Sequence, residues 1–300
     1  CTLCVGCMVE VMVEKTLQAT GNMIYPMLFQ LSGAITNIIL DTIFIFGYFG
    51  VPAMGVAGAA IATVIGQFVS LIFSMIILFT KSHQVRIQLK GFRFNGKTIR
   101  DIYAVGLPSI VMQAIGSVMN MGLNGILATF SDTAVAVLGA YYKLQSFVFM
   151  PVFGLNQGVM PILGYNYGAR KRHRFTTAMK IGAIIALIIM ALGMVLFWVM
   201  PSQLLDIFKE AGQQSADAEL LRIGVPALRI ISLCFTPAAL GIIFSTAFQA
   251  TGMGIRSLII SLLRQLILIL PVAYLLSLTG EVTNVWYSFP IAEAVSLVVS

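Results

Sequence analysis

Charge is what this chain has least of. Among 300 residues there are 18 Lys+Arg and 11 Asp+Glu, so 10% of the sequence is charged, against about 25% in a soluble domain. That shortage excludes water as the main solvent. Histidine is nearly missing as well. Its two copies, His83 and His173, sit among basic residues in connecting stretches, which leaves no nucleophile–base pair and no catalytic residue to name. Cysteine is held to four. Cys1, Cys4 and Cys7 repeat at a spacing that shares a helix face only loosely, with no His nearby, so they read as small apolar residues and no metal site is expected. Cys234 stands alone. No cofactor motif and no secretory leader is visible. The opening Cys1 and the apolar run ending at Ser300 suggest a piece of a longer protein.

What the chain does have is hydrocarbon. It is 59% hydrophobic with a mean hydropathy of +0.96. Continuous apolar runs cover Leu31–Phe49, Ala104–Phe130, Ile181–Met200 and Leu258–Leu278. Each is near the ~20 residues a helix needs to cross ~30 Å of lipid. The runs do not alternate every second residue, which argues against a barrel. Nine segments follow, at 1–18, 24–48, 54–80, 102–130, 133–163, 176–200, 221–248, 255–278 and 282–300. The expectation is an all-α polytopic membrane protein.

The net charge of +7 does not point to nucleic acid once the positions are read. Lys81, Arg86, Lys90, Arg93, Lys97 and Arg100 crowd one connection, and Arg170, Lys171, Arg172 and Arg174 another. Asp132, Asp206, Glu210, Asp217, Glu219 and Glu281 occupy the alternate loops. Basic loops on one side define the cytoplasmic face.

A repeat underlies this layout. Gln18-Ala19-Thr20-Gly21 recurs as Gln249-Ala250-Thr251-Gly252, 231 residues later, each time between two apolar segments. Two similar helix bundles in one chain are the expected reading.

A few polar groups lie deep in apolar segments. Asp41 is the clearest, since an intramembrane carboxylate costs about 2.5–3.5 kcal/mol and is a functional hypothesis by default. Asn37 is one turn earlier on the same helix face, where its amide is expected to bond the carboxyl group. Glu14 stands either as a snorkelling interfacial acid or as a site residue, with Glu10 one turn deeper and able to share its proton. Val272 occupies the point equivalent to Asp41 in the second copy, so cation chemistry is assigned to the first. Segments 102–130 and 133–163 carry Met119, Phe147 and Met150, suited to flat apolar cations. Gln113, Asn120, Asn124 and Gln157 form a polar strip expected to face a cavity. Gly106, Pro108, Pro151, Gly154, Gly158 and Pro161 are expected to break and bend these helices.

Two stretches carry a resemblance. One runs from Gln18 to Met27 into Asn37–Asp41, Gly55–Thr63 and Gln67. The other joins Gly106-Leu107-Pro108 and Asn124 to Met150-Pro151, Gly154, Gln157-Gly158, Pro161 and Gly164–Ala169. Together they resemble the multidrug and toxic compound extrusion family. The resemblance implies two pseudo-symmetric six-helix lobes, of which about nine helices, four to twelve, are present. It divides the chain into 1–80 (remainder of the first lobe), 81–101 (a basic cytoplasmic inter-lobe linker) and 102–300 (the second lobe). It implies that Asn37 and Asp41 help form a cation site, with Glu14 and Thr63 contributing. The coupling ion is H+ or Na+, with H+ favoured by the acids. The function implied is export of small amphipathic or cationic compounds across a bacterial inner membrane by a monomer. A flippase for a lipid-linked sugar is the alternative, a channel is a further rival that stoichiometric counter-transport would separate, and an enzyme has no residues to support it.

The charge pattern makes a direct prediction. In intact cells, an impermeant thiol reagent should modify Gln213→Cys and spare Arg93→Cys, because 201–220 faces outside and 81–101 inside. The reverse labelling pattern inverts the topology.

Overall fold

The computed structural model describes residues 4–48, 52–80, 95–208 and 214–299, and every regular element among them is helical. The chain divides into two compact units, Cys1–Arg93 and Phe94–Ser300.

The first unit holds α1 (Cys4–Ala19), α2 (Ile24–Phe46) and α3 (Val56–Thr80). Small residues decide how it packs. Gly58, Ala62, Gly66, Ser70 and Ser74 recur every fourth position of α3 and all are buried. They let α2 approach backbone to backbone. A Cβ on Gly66 would lie 2.8 Å from the Gly33 carbonyl oxygen, and one on Gly58 would lie 2.7 Å from that of Phe44. Close contact of small residues is how helices associate where lipid is as apolar as leucine. Val13, Leu17, Phe29 and Ile77 form the core, with the Phe29 and Phe73 rings edge to face at 5.7 Å.

The second unit runs α4 (Gly96–Ala128), α5 (Asp132–Gly168), α6 (Arg172–Val199), α7 (Pro201–Asp206), α8 (Gln214–Ser232), α9 (Phe235–Ala250) and α10 (Gly254–Leu262). A π-helical segment (Leu263–Ile269) then leads into α11 (Leu270–Ser277), α12 (Val282–Val285) and α13 (Ser288–Val299). The starts of α4 and α5 are marked by side-chain caps. Asn95 accepts from the Lys97 amide and Ser131 from the Ala134 amide, satisfying donors that a helix N-terminus leaves free. The core is aromatic: Phe235 meets Phe149 at 5.3 Å and Phe197 at 5.2 Å, and Tyr141 meets Phe289 at 6.0 Å.

Among the described residues, seven helices are long and apolar enough to cross a membrane, and an eighth span results if the bent pair Ala218–Ser232 and Phe235–Ala250 is one crossing. α1 covers 16 residues. Residues 1–3, including Cys1, and the basic stretch 81–94 lie outside the described residues, as does Glu210; from Gly96 the chain is already α4. Large side chains such as Val56, Val298 and Phe147 are 80–90% exposed, as lipid-facing surfaces require. This is an all-α, multi-pass membrane protein.

The repeated tetrapeptide is a helix stop in both units. Gly21 (φ 85°) and Gly252 (φ 79°) are left-handed, a conformation that costs other L-residues about 1–2 kcal/mol. The Asn22 amide reaches back to Leu17 O and that of Gly21 to Gln18 O. The Met253 and Gly252 amides do the same to Phe248 and Gln249. This is the Schellman closure.

The expected breaks at glycine and proline are corrected. α4 passes through Gly106 and Pro108, and α5 through Pro151, Gly154, Gly158 and Pro161, as uninterrupted helices. A peptide group freed at membrane depth has no water to bond, so the surrounding helix is kept. Discontinuities fall elsewhere. The bend between α8 and α9 is 47°, four residues before Pro237, and α12 parts from α13 four residues before Pro290. A proline ring clashes with the carbonyl four residues back. Pro271 stands two residues past the end of the π-helical segment.

The α2–α3 crossing is testable. Gly66→Ala should lower the unfolding midpoint of the purified protein by an amount corresponding to about 1–3 kcal/mol. Gly96→Ala, whose Cβ meets nothing within 4 Å, should leave it unchanged. Equal midpoints, read by scanning fluorimetry in detergent, would mean that the crossing is looser than described.

Candidate functional site

Each unit contains a polar cavity at membrane depth. In the first, a cleft of about 280 Å³ opens between α1, α2 and α3, with Glu10, Gln30, Asn37, Thr63, Gln67 and Ser70 supplying its polar wall. The Asn37 side chain does not bond Asp41. Its Nδ2 donates across the helix pair to Thr63 Oγ1 at 3.4 Å, and Thr63 donates to Ala59 O. The Gly33–Gly66 crossing holds α2 and α3 close enough for that link. The sequence expectation of an intrahelical Asn37–Asp41 bond is therefore corrected.

Asp41 itself is left short. Its Oδ1 is buried and has no hydrogen-bond partner among the described residues. A buried acceptor without a donor is costly, and a proton or a bound cation relieves that cost.

The two glutamates of α1 are both buried, at 5–6% exposure, so Glu14 is not a snorkelling surface acid. They bond separately rather than to each other. Glu14 receives Gln18 Nε2 at 2.7 Å, Gln30 Nε2 at 2.7 Å and Lys15 Nζ at 3.2 Å, donors that satisfy an ionised carboxylate. Glu10 Oε1 lies 2.8 Å from Ser70 Oγ, which is also 2.6 Å from Phe29 O. One hydroxyl has one proton to give. If Ser70 gives it to Phe29, the contact with Glu10 is made by a protonated Glu10 donating to Ser70.

In the second unit, a cavity of about 440 Å³ is lined by α4, α5, the π-helical segment, α9 and α13. Met119, Asn120 and Met150 are in its wall, together with Tyr142, Phe149, Phe153 and Phe289. Arg264 Nη1 donates to Glu293 Oε1 at 3.1 Å, and Gln145, Ser146 and Gln265 add polar groups. Asn120 Oδ1 and Tyr142 Oη are buried without partners. An aromatic wall with a few unsatisfied polar atoms and one carboxylate fits an amphipathic organic ligand. The structure does not bring the other four expected residues into this cavity. Gln113, Asn124 and Gln157 lie on the exposed surface of the unit, and Phe147 is 80% exposed. Gln113 and Asn124 lie seven before and four after Asn120, and Gln157 seven after Met150, so they share helix faces with lining residues but fall outside the cavity's walls.

The sequence marked Gln67 only as part of the resemblance and did not single out Gln30, Ser70, Tyr142, Ser146 or Gln265. Ser70 had a signal, since it continues the four-residue stripe of small residues in α3. Gln265 had none, because its placement depends on the π-helical segment. Lys143 packs over the Phe208 ring at 5.6 Å. Among the described residues, no three His, Cys, Asp or Glu side chains come together as metal ligands.

Comparison with known proteins follows the same lines. The MatE family model matches residues 108–275. Multidrug export protein MepA of Staphylococcus saprophyticus is 29% identical over 282 residues, covering 94% of this chain and 60% of the relative. MepA of Staphylococcus haemolyticus is 28% identical over the same share. The chain thus spans 60% of the length of these curated relatives. Among solved structures, a MATE in complex with MaL6 superposes with a TM-score of 0.87 at 27% identity, over 97% of this chain and 64% of that one. A MOP superfamily transporter from Pyrococcus furiosus, described as having a binding pocket of reverse polarity, reaches 0.88 at 27% identity, again over 97% and 64%.

The ion pair in the second cavity makes a stability prediction. Arg264→Met leaves Glu293 buried and uncompensated, and should cost about 3 kcal/mol, the low end for a buried pair, because Arg264 keeps 27% side-chain exposure. Adding Glu293→Leu should recover most of the loss. If the double variant unfolds as readily as the single one in denaturant titration, the pair is not what holds these helices.

Proposed function

The chain belongs to the MatE family of multidrug and toxic compound extrusion transporters, and from that premise we propose that it carries the cation site and part of the substrate path of an antiporter. The transporter exports small amphipathic or cationic compounds across the bacterial inner membrane by alternating access. The observation that carries this reading is the buried, unpartnered Oδ1 of Asp41, in the same helix as the Asn37–Thr63 link. A carboxylate with one buried, unpaired oxygen favours capture of a cation, and a neutralised site is free to close around it. Loading from outside and unloading inside then returns the protein to its export-ready state.

The coupling ion in this reading is a proton. The Glu10–Ser70–Phe29 geometry accommodates a protonated carboxyl group. A sodium ion needs several converging oxygens, as hard cations do, and Asp41, Asn37 and Thr63 supply only part of such a shell. Glu14, held by Gln18, Gln30 and Lys15, acts here as a fixed charge that orders α1 against α2. The substrate's apolar body is assigned to the aromatic cavity of the second unit and its positive charge to Glu293, in competition with Arg264. The basic stretch 81–101 is assigned to the cytoplasm as the inter-lobe linker, and the working form to a monomer in the bilayer. The names of the MepA relatives support multidrug export. A lipid-linked sugar flippase would need several free cations facing pyrophosphate, whereas the one arginine of the second cavity is paired.

The test uses the full-length transporter in liposomes with proton and sodium gradients imposed separately. Asp41→Asn should abolish gradient-driven drug export while keeping expression, and Asn37→Ala should weaken it. Undiminished export by Asp41→Asn removes the site, and transport on a sodium gradient alone reverses the choice of ion.

A further inference from the structure

The largest cavity in the second unit belongs to neither site described above. It measures about 820 Å³ and lies where α5 ends, α6 begins and α9 closes into the turn at Thr251–Met253. Its walls have two characters. Arg170 and Arg172 supply charge, while Phe175, Met179, Phe244 and Phe248 supply an apolar face. Among the described residues no carboxylate pairs with Arg170 or Arg172, and no acid lines the cavity. Lys171, His173 and Arg174 stand beside them in sequence. The cavity sits at the ends of two membrane-spanning helices, which is the depth of lipid headgroups.

We propose that this cavity binds one anionic phospholipid, its phosphate held by Arg170 and Arg172 and its acyl chain laid along Phe175, Met179, Phe244 and Phe248. Charge selects the occupant. A cationic substrate is repelled by the two arginines. The chain's own stretch 81–94 carries Lys81, Arg86, Lys90 and Arg93 without an acid, so it too is of the wrong sign. A free phosphate satisfies the arginines but leaves the aromatic wall bare. A phospholipid with net negative charge satisfies both, since each interfacial Lys or Arg adds about 1 kcal/mol of attraction to an anionic headgroup. Arg170 also has φ 54°, a left-handed backbone that a non-glycine residue adopts at a cost, and in it the side chain reaches the cavity.

Native mass spectrometry of the purified chain in detergent, titrated with phosphatidylglycerol, phosphatidylcholine or inorganic phosphate, tests this. One saturable phosphatidylglycerol should bind, with phosphatidylcholine well behind. Arg170→Gly suits the left-handed backbone and should weaken binding roughly fivefold, and so should Arg172→Gln, at about 1 kcal/mol per charge. Phe248→Ala should weaken phosphatidylglycerol binding further while Lys180→Gln, outside the cavity, changes nothing. Unfolding midpoints recorded alongside identify any variant that has lost its fold, and Arg170→Gly keeps the test open in that case. Equal binding of the two lipids, no loss in Arg170→Gly, or phosphate competing as well as lipid would each overturn the proposal.

Discussion

A polar group inside a bilayer has only the protein to bond to, and the arrangement of this molecule follows from that constraint. Gln18 and Gln30 are spent on Glu14, Ser70 bridges Glu10 to the Phe29 carbonyl, and Arg264 answers Glu293. The chain passes prolines 108, 151, 161 and 226 without leaving the helix, because a bare peptide group would cost more than a strained turn. Against that background, the few buried atoms left unpaired stand out. Asp41 Oδ1 in one unit, and Asn120 Oδ1 and Tyr142 Oη in the other, occupy positions where a ligand would complete the bonding. Trp286 Nε1 and Ser288 Oγ are also unpaired; they fall beside the interruption between α12 and α13, where the chain loses helical hydrogen bonds.

Close packing by small residues makes the first site possible. An Asn and a Thr have short side chains, so a hydrogen bond between them demands helices nearly in backbone contact. Gly33 and Gly66 meet that demand. The same stripe of α3 that removes bulk at Gly58, Ala62 and Gly66 delivers a hydroxyl at Ser70, one turn further on. Packing and chemistry are thus written on one face.

The two copies of the tetrapeptide share a local structure and differ in chemistry. Gln18 donates to Glu14, four residues back, and Gln249 donates to Ser245, also four residues back. Where the first copy has a buried carboxylate, the second has a hydroxyl that bonds Ser257. The helix stop is retained because only glycine takes its φ cheaply. The charge is not retained because nothing in the turn requires it. In the second unit, charge instead enters from α13 and the π-helical segment.

Read alone, the sequence determined the membrane class, the approximate ends of the spans, the helix stops at Gly21 and Gly252, and the rarity that singles out Asp41. These follow from composition and local backbone chemistry, which need no knowledge of neighbours. Its family resemblance also pointed to Asn37 and Thr63. What it left undecided was who bonds whom. Asn37 reaches Thr63 rather than Asp41, Glu10 and Glu14 go to different partners, and Gln113, Asn124, Phe147 and Gln157 stay on the exposed surface of the unit while Met119, Asn120 and Met150 line the cavity. Which prolines interrupt a helix was equally undecided, since the same residue type is tolerated at 151 and lies just past a bend at 237. Those choices belong to the tertiary structure, because a side chain's partner is set by which helix face meets which, and that depends on contacts between residues far apart in the chain.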